Sequence, residues 1–197
     1  VQPTERFNLE KAQALVVDGN NQALDLLCGV LTSFGLRQIV RKSNGKEAQL
    51  ELTMRPFDLV LVDGQLPVMD GYDLIRWLRR DAGEAIRMTP AIVVTAHTPR
   101  TKVIRARDCG ANFTIAKPIK PSVILERILW VACSDRLFIE CDAYIGPDRR
   151  WKNTGPPIEH PNGRRRDDKP AEVGQPEGEN LSQSELDDLI KPQKLAN

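Results

Sequence analysis

Leu59-Val60-Leu61-Val62 is an unbroken apolar run that ends on a single carboxylate, Asp63. A strand that is apolar on both of its faces has to be covered on both, which restricts the fold to a sheet sandwiched between helices. Comparable runs recur at Ala14–Val17, Ala91–Thr95 and Phe113–Ala116, with a shorter one at Arg37–Val40. Helical periods separate them. Leu24, Leu27, Cys28 and Leu31 share one face before Gly35, which fits a helix stop. Further helical stretches run from about Gly45 to Arg55, Gly71 to Arg80 and Arg100 to Asp108. A last one begins after Pro118 and carries Val123, Ile124, Ile128, Leu129 and Ala132. Five strand–helix units in succession predict an α/β fold with a doubly wound parallel sheet. In such a sheet chemistry collects at the carboxyl ends of the strands, where Asp63 lies. By itself, an acid at that position also suits an ordinary turn cap.

The 28 Lys+Arg are balanced by 27 Asp+Glu, so no global field for a polyanion is expected. Cys28, Cys109, Cys133 and Cys141 show no metal-ligand spacing and are expected as reduced thiols, consistent with a cytoplasmic setting. No apolar stretch reaches the length of a membrane span, and residues 1–11 lack the apolar region of a signal peptide. His97 and His160 are isolated and are expected in surface or loop positions. With no nucleophile dyad, second base or cofactor loop, an enzyme with its own substrate is not expected.

Asp18 ends the first strand, Asp63 the third and Thr95-Ala96 the fourth, and Lys117-Pro118 follows the fifth. A carboxylate that accepts a phosphoryl group needs a cation against the incoming oxygens, and Mg²⁺ takes carboxylates and water. The modified carboxylate also needs a hydroxyl and an ammonium, which Thr95 and Lys117 can provide. Val16-Val17-Asp18, Asp63 with Leu66-Pro67-Val68-Met69-Asp70-Gly71, Thr95-Ala96 and Lys117-Pro118 together resemble the CheY-like receiver domain of bacterial two-component response regulators. The resemblance spans about residues 12–138 and implies a flavodoxin-like (βα)5 fold with strand order 2-1-3-4-5. It further implies Asp63 as phosphoacceptor, Thr95 as switch hydroxyl, Lys117 as relay, a Mg²⁺ site at Asp18, Asp63 and the Gln65 carbonyl, and a histidine kinase or phosphotransfer protein as donor.

Two positions depart from that pattern. Gly19 stands where receivers carry a second acid, leaving Asp18, Asn20 and Gln65 to hold a weaker ion. Thr114 stands where an aromatic residue is common, with Phe113 before it, which is expected in the core. A non-phosphorylated pseudo-receiver is therefore a second expectation.

From Tyr144 onward Pro and Gly are frequent and no strand pattern is visible, so a mostly unstructured tail is expected. The chain divides into an extension (1–11), a receiver (12–138), an arginine-rich segment (139–180) and a terminal peptide (181–197). Arg149, Arg150, Trp151, Arg164, Arg165 and Arg166 combine guanidinium forks with a stacking ring, a set suited to guanine edges and phosphates. The segment resembles the arginine-rich extension of CheY-like proteins that bind cyclic di-GMP. A basic linker folded onto receiver acids, or another polyanion as ligand, would use the same residues. In the terminal peptide, Ser182 and Glu185 form a capping-box pattern ahead of Leu186, Leu189 and Ile190. Leu181 to Ile190 resembles the N-terminal peptide of the flagellar switch protein FliM, which docks on CheY. The resemblance implies docking through Leu181, Glu185, Leu186, Leu189 and Ile190, on a separate CheY or on this receiver's own face made from the helix at 100–108, the strand at 113–116 and the helix after Pro118. A generic amphipathic terminus has the same pattern. Together these features suggest a single-domain, motility-linked regulator without a DNA-binding domain, acting at the flagellar switch or on CheY.

Overall fold

The computed structural model describes residues 9–96, 99–133, 138–148 and 182–190, with side chains at 187–190 outside the description. The chain runs β1 (Gln13–Val17), α1 (Asn21–Ser33), β2 (Gln38–Lys42), α2 (Gly45–Met54), β3 (Leu59–Val62) and α3 (Gly71–Arg80). It continues with α4 (Glu84–Arg87), β4 (Ala91–Thr95), α5 (Arg100–Asp108), β5 (Phe113–Ala116) and α6 (Pro121–Cys133). Beyond these lie β6 (Phe138–Cys141), β7 (Tyr144–Pro147) and α7 (Gln183–Ile190). The five main strands are parallel in the order β2-β1-β3-β4-β5, the arrangement expected for a flavodoxin-like receiver.

The apolar strands are two-faced, as their composition requires. Ala14 and Val16 of β1 pack with Leu24, Leu27 and Leu31 of α1 and Ile124 and Ile128 of α6. Leu15 and Val17 face the other way, into a core with Leu52 of α2 and Leu74, Ile75 and Leu78 of α3. Asn20 caps α1, its side chain accepting from the Gln22 and Ala23 amides. Asp70 caps α3 through the Asp73 amide. Gly35, at φ 97°, follows α1 in the left-handed conformation that suits glycine.

The folded body reaches past α6, where the composition shows no strand pattern. β6 and β7 pair as an antiparallel hairpin on the receiver. Besides its own pairing, the hairpin makes contacts with residues distant in the chain. The Phe138 ring lies 5.1 Å from the Arg79 guanidinium, Arg87 pairs with Glu140, and Arg80 donates to the Asp142 and Ala143 carbonyls. Gly110 (φ 93°) comes so close that an added Cβ would stand 2.5 Å from the Ile145 oxygen. Arg79 beneath the hairpin is fully buried, donating to the Gly110, Arg87 and Thr89 carbonyls and to Asn112 Oδ1. Burial lowers its pKa to about 10. The short helix α4 also lacks a sequence signal.

Phe113 is buried in the core, edge-on to Trp130 at 4.8 Å, and Thr114 beside it is also buried. Cys28, Cys109, Cys133 and Cys141 are all free thiols. Among the described residues no helix is long and apolar enough to cross a membrane.

Candidate phosphoacceptor site

Backbone register brings the acids and their partners to one rim. Asp63 directly follows β3, and its amide donates to the Val17 carbonyl at 2.8 Å, setting it beside Asp18 at the end of β1. Val62 is level with Val93, which places Thr95 at the same carboxyl end. The Lys117 amide donates to the Thr95 carbonyl at 2.9 Å and carries its side chain into the rim. Gly71 lets α3 start against this turn: a Cβ there would stand 2.0 Å from the Asp63 carbonyl oxygen.

Lys117 Nζ donates to Asp18 Oδ2 and to Asp63 Oδ2, each at 2.6 Å. The remaining carboxylate oxygens accept from backbone, Asp18 Oδ1 from the Asn20 amide at 2.8 Å and Asp63 Oδ1 from the Gln65 amide at 2.9 Å. Asp18 is almost completely buried, while Asp63 keeps about an eighth of its side chain exposed (13%). Burial opposes the charged form of Lys117, yet the hydrogen bonds and charges of the two aspartates outweigh it and raise its pKa. Two carboxylates and one ammonium leave a single net negative charge facing solvent.

The donor set for a divalent cation is partial. Asp18 and Asp63 meet at Lys117 and the Gln65 amide lies on Asp63 Oδ1, but Asn20 Oδ1 is spent on capping α1 and cannot serve as it stands. Gly19 contributes no side-chain oxygen, and a Cβ there would stand 3.3 Å from Pro67 Cδ. Among the described residues no group of three or more His, Cys, Asp and Glu side chains is placed to hold a metal.

The terminal helix forms and rests against β5 and α5. Ser182 and Glu185 make the capping box, the Glu185 carboxylate accepting from the Ser182 amide (2.8 Å) and hydroxyl (2.7 Å), which lowers the Glu185 pKa. Glu185 thus caps its own helix, whereas Leu186 is fully buried. Gln183 makes a contact that the sequence pattern does not single out. Its Oε1 accepts from the Ala116 amide at 2.7 Å, and its Nε2 approaches the Thr114 carbonyl at 3.4 Å. These are open-edge groups of β5, and a glutamine amide can match both as a neighbouring strand would. Leu181 lies outside the described residues, as do the side chains of Leu189 and Ile190. Arg149, Arg150, Trp151, Arg164, Arg165 and Arg166 lie outside them too, with His97 and His160.

Comparison with known proteins agrees with this architecture. Residues 14–129 match the response regulator receiver domain model. The chain is 33% identical over 109 residues to a probable chemotaxis protein CheY of Rhizobium etli, covering 55% of this chain and 83% of that protein. It is 30% identical over 114 residues to the chemotaxis protein CheY of Pseudomonas aeruginosa, covering 58% of this chain and 90% of the relative. A solved receiver domain of a Pseudomonas aeruginosa sensor histidine kinase, with a magnesium ion coordinated in its active-site cleft, is similar with a TM-score of 0.55 at 31% identity. The match covers 61% of this chain and 95% of that one. With the five-stranded order, the strand-end acids and the lysine between them, the chain belongs to the response regulator receiver family of two-component signalling.

Proposed function

We propose that the protein is a CheY-like, motility-linked signalling receiver that takes a phosphoryl group on Asp63 from a histidine kinase or phosphotransfer protein. The observation that carries this reading is the Lys117 ammonium joining Asp63 to Asp18 at 2.6 Å on the strand-end rim. A carboxylate oxygen of Asp63 attacks the donor phosphorus, the bond from phosphorus to the leaving group breaks, and an acyl phosphate results. Lys117 shifts from the Asp63 carboxylate to a phosphoryl oxygen, and the Thr95 hydroxyl holds another. Mg²⁺, held by Asp18, Asp63 and the Gln65 carbonyl, would supply charge neutralisation to the transferring group. The missing acid at Gly19 and the use of Asn20 Oδ1 as a helix cap make this ion more weakly held than in receivers with two adjacent acids.

α7 extends the reading. Its seat on β5 and α5 supports a terminal peptide that docks on its own receiver, where it stands in the place a partner helix of FliM-like chemistry would take. The Lys117 amide immediately follows the strand that Gln183 grips, so a change at Asp63 and a change at α7 act on one segment. The arginine-rich segment between the hairpin and α7 is assigned to cyclic di-GMP on its residue types. A pseudo-receiver that serves as a cyclic di-GMP effector or adaptor is the second reading, favoured by the missing acid at Gly19.

Incubation of the full chain with acetyl phosphate and Mg²⁺ distinguishes the two. A gain of one phosphoryl group in mass that is lost in Asp63→Ala supports the first reading. No gain at any Mg²⁺ concentration, nor with a kinase donor, refutes it in favour of the second.

A further inference from the structure

The reading above uses the Thr95 hydroxyl but not the group that holds it. Tyr72, in the first turn of α3, is 1% exposed and its phenol hydrogen-bonds the Thr95 side chain. Its position depends on Gly64, next to Asp63: a Cβ at Gly64 would stand 2.4 Å from Tyr72 Oη and 2.6 Å from Cζ. The ring therefore passes directly under the turn that presents Asp63. Two cations of α5 face the same ring, the Arg105 guanidinium 5.0 Å and the Lys102 ammonium 6.0 Å from its centroid. Arg105 is itself anchored to the α3 cap, with Asp70 at 2.9 Å and Asp73 at 3.1 Å.

A hydroxyl has one proton to give and two lone pairs to receive with. If Thr95 donates to Tyr72, no proton remains for a phosphoryl oxygen. If Tyr72 donates to Thr95, the threonine proton stays available. Burial, the leading cause, pushes the phenol up to about 12, so it carries its proton throughout the neutral range. Cations over the ring favour the same polarity, since they draw density from it and strengthen the O–H as a donor.

We infer that Tyr72 is a positioning residue for Thr95: its phenolic O–H donates to Thr95 Oγ1, holds the threonine in one rotamer, and frees the Thr95 proton for a phosphoryl oxygen on Asp63. The last step rests on the phosphoacceptor reading, whereas the rotamer claim stands without it. The same ring ties Thr95 to Arg105 and so to α5, one of the two elements beneath α7.

Tyr72→Phe tests this, because it retains the ring, its burial and both cations while removing one hydroxyl. In the unmodified protein, three-bond couplings to the Thr95 methyl should report one rotamer, and rotamer averaging in Tyr72→Phe. An unchanged single rotamer in the variant overturns the inference. With acetyl phosphate, Tyr72→Phe should slow labelling of Asp63 about tenfold, the effect of one lost hydrogen bond. In a Thr95→Val background the same substitution should cause no further loss. Equal losses in both backgrounds would mean that Tyr72 acts on the fold and not on Thr95, which also overturns it. A wild-type chain that takes no label refutes the Asp63 reading, and the coupling measurement then decides the role of Tyr72.

Discussion

Lys117 holds two carboxylates that would otherwise repel each other at a partly buried rim. Each Nζ–Oδ2 contact is 2.6 Å, and the lysine side chain is 19% exposed, so solvent screens the pair only in part. The pKa of Lys117 is raised in the folded chain above its ordinary 10.5, because the aspartates favour its charged form. A group with a raised folded pKa stabilises fully below its unfolded pKa, and that stabilisation is lost as pH rises through the folded value. Lys117→Met should therefore lower the unfolding free energy measured in urea at neutral pH by roughly 1–3 kcal/mol. The difference from wild type should shrink above pH 10.5. A difference that is constant from pH 7 into the alkaline range would contradict this account. Asp18, Asp63, Thr95 and Lys117 were legible in the sequence because each stands at the end of an apolar strand, and parallel register brings strand ends together. Tyr72 was not. Its phenol reaches Thr95 only because α3 crosses the β3 end at Gly64, a relation between elements that no local pattern encodes.

At the scale of elements, β5 and α7 meet next to the rim. β5 is an edge strand, and edge strands expose backbone groups that seek partners. α7 meets that need with one side chain, Gln183, and buries Leu186 beside it. Burying a leucine contributes about 1.5–3 kcal/mol, enough to seat a helix too short to persist alone. Gln183→Ala should speed hydrogen exchange at the Ala116 amide about tenfold while leaving interior β4 amides such as Val93 unchanged. Equal protection of Ala116 in both proteins would show that α7 does not cover this edge. The capping box was readable from Ser182 and Glu185, since it is a contact within four residues. That Glu185 turns back on its own helix while Gln183 faces the receiver was not, because helix orientation on a surface is set by the surface. The β6–β7 hairpin was missed for a related reason. Gly146 and Pro147 look like turn residues, and only the contact with Gly110 and the ring of Phe138 over Arg79 gives them a place in a strand.

For the whole molecule, the hairpin moves the working boundary of the folded body to Asp148, ten residues beyond the end of the receiver-like pattern at 138. The arginine-rich segment then begins directly after a docked element and ends at another, α7. A chain ending at Asp148 keeps the hairpin and its contacts with the receiver while losing α7 and all of Arg149, Arg150, Trp151, Arg164, Arg165 and Arg166. Calorimetry should show cyclic di-GMP binding to the full chain and none to the shortened one. Binding that survives the truncation, or binding absent from the full chain, would remove the segment from the proposed function.

The amino-acid sequence by itself determined the five-stranded parallel sheet, its two-sided core and the identity of the rim residues, because apolar period and strand-end position are properties of neighbours along the chain. Tertiary structure alone decided that Lys117 bridges two aspartates, that Asn20 caps a helix instead of facing an ion, and that Tyr72, Arg79 and Gln183 have partners on distant elements. Those contacts depend on distances across the fold, set by helix crossings and by glycines whose missing Cβ lets one element approach another.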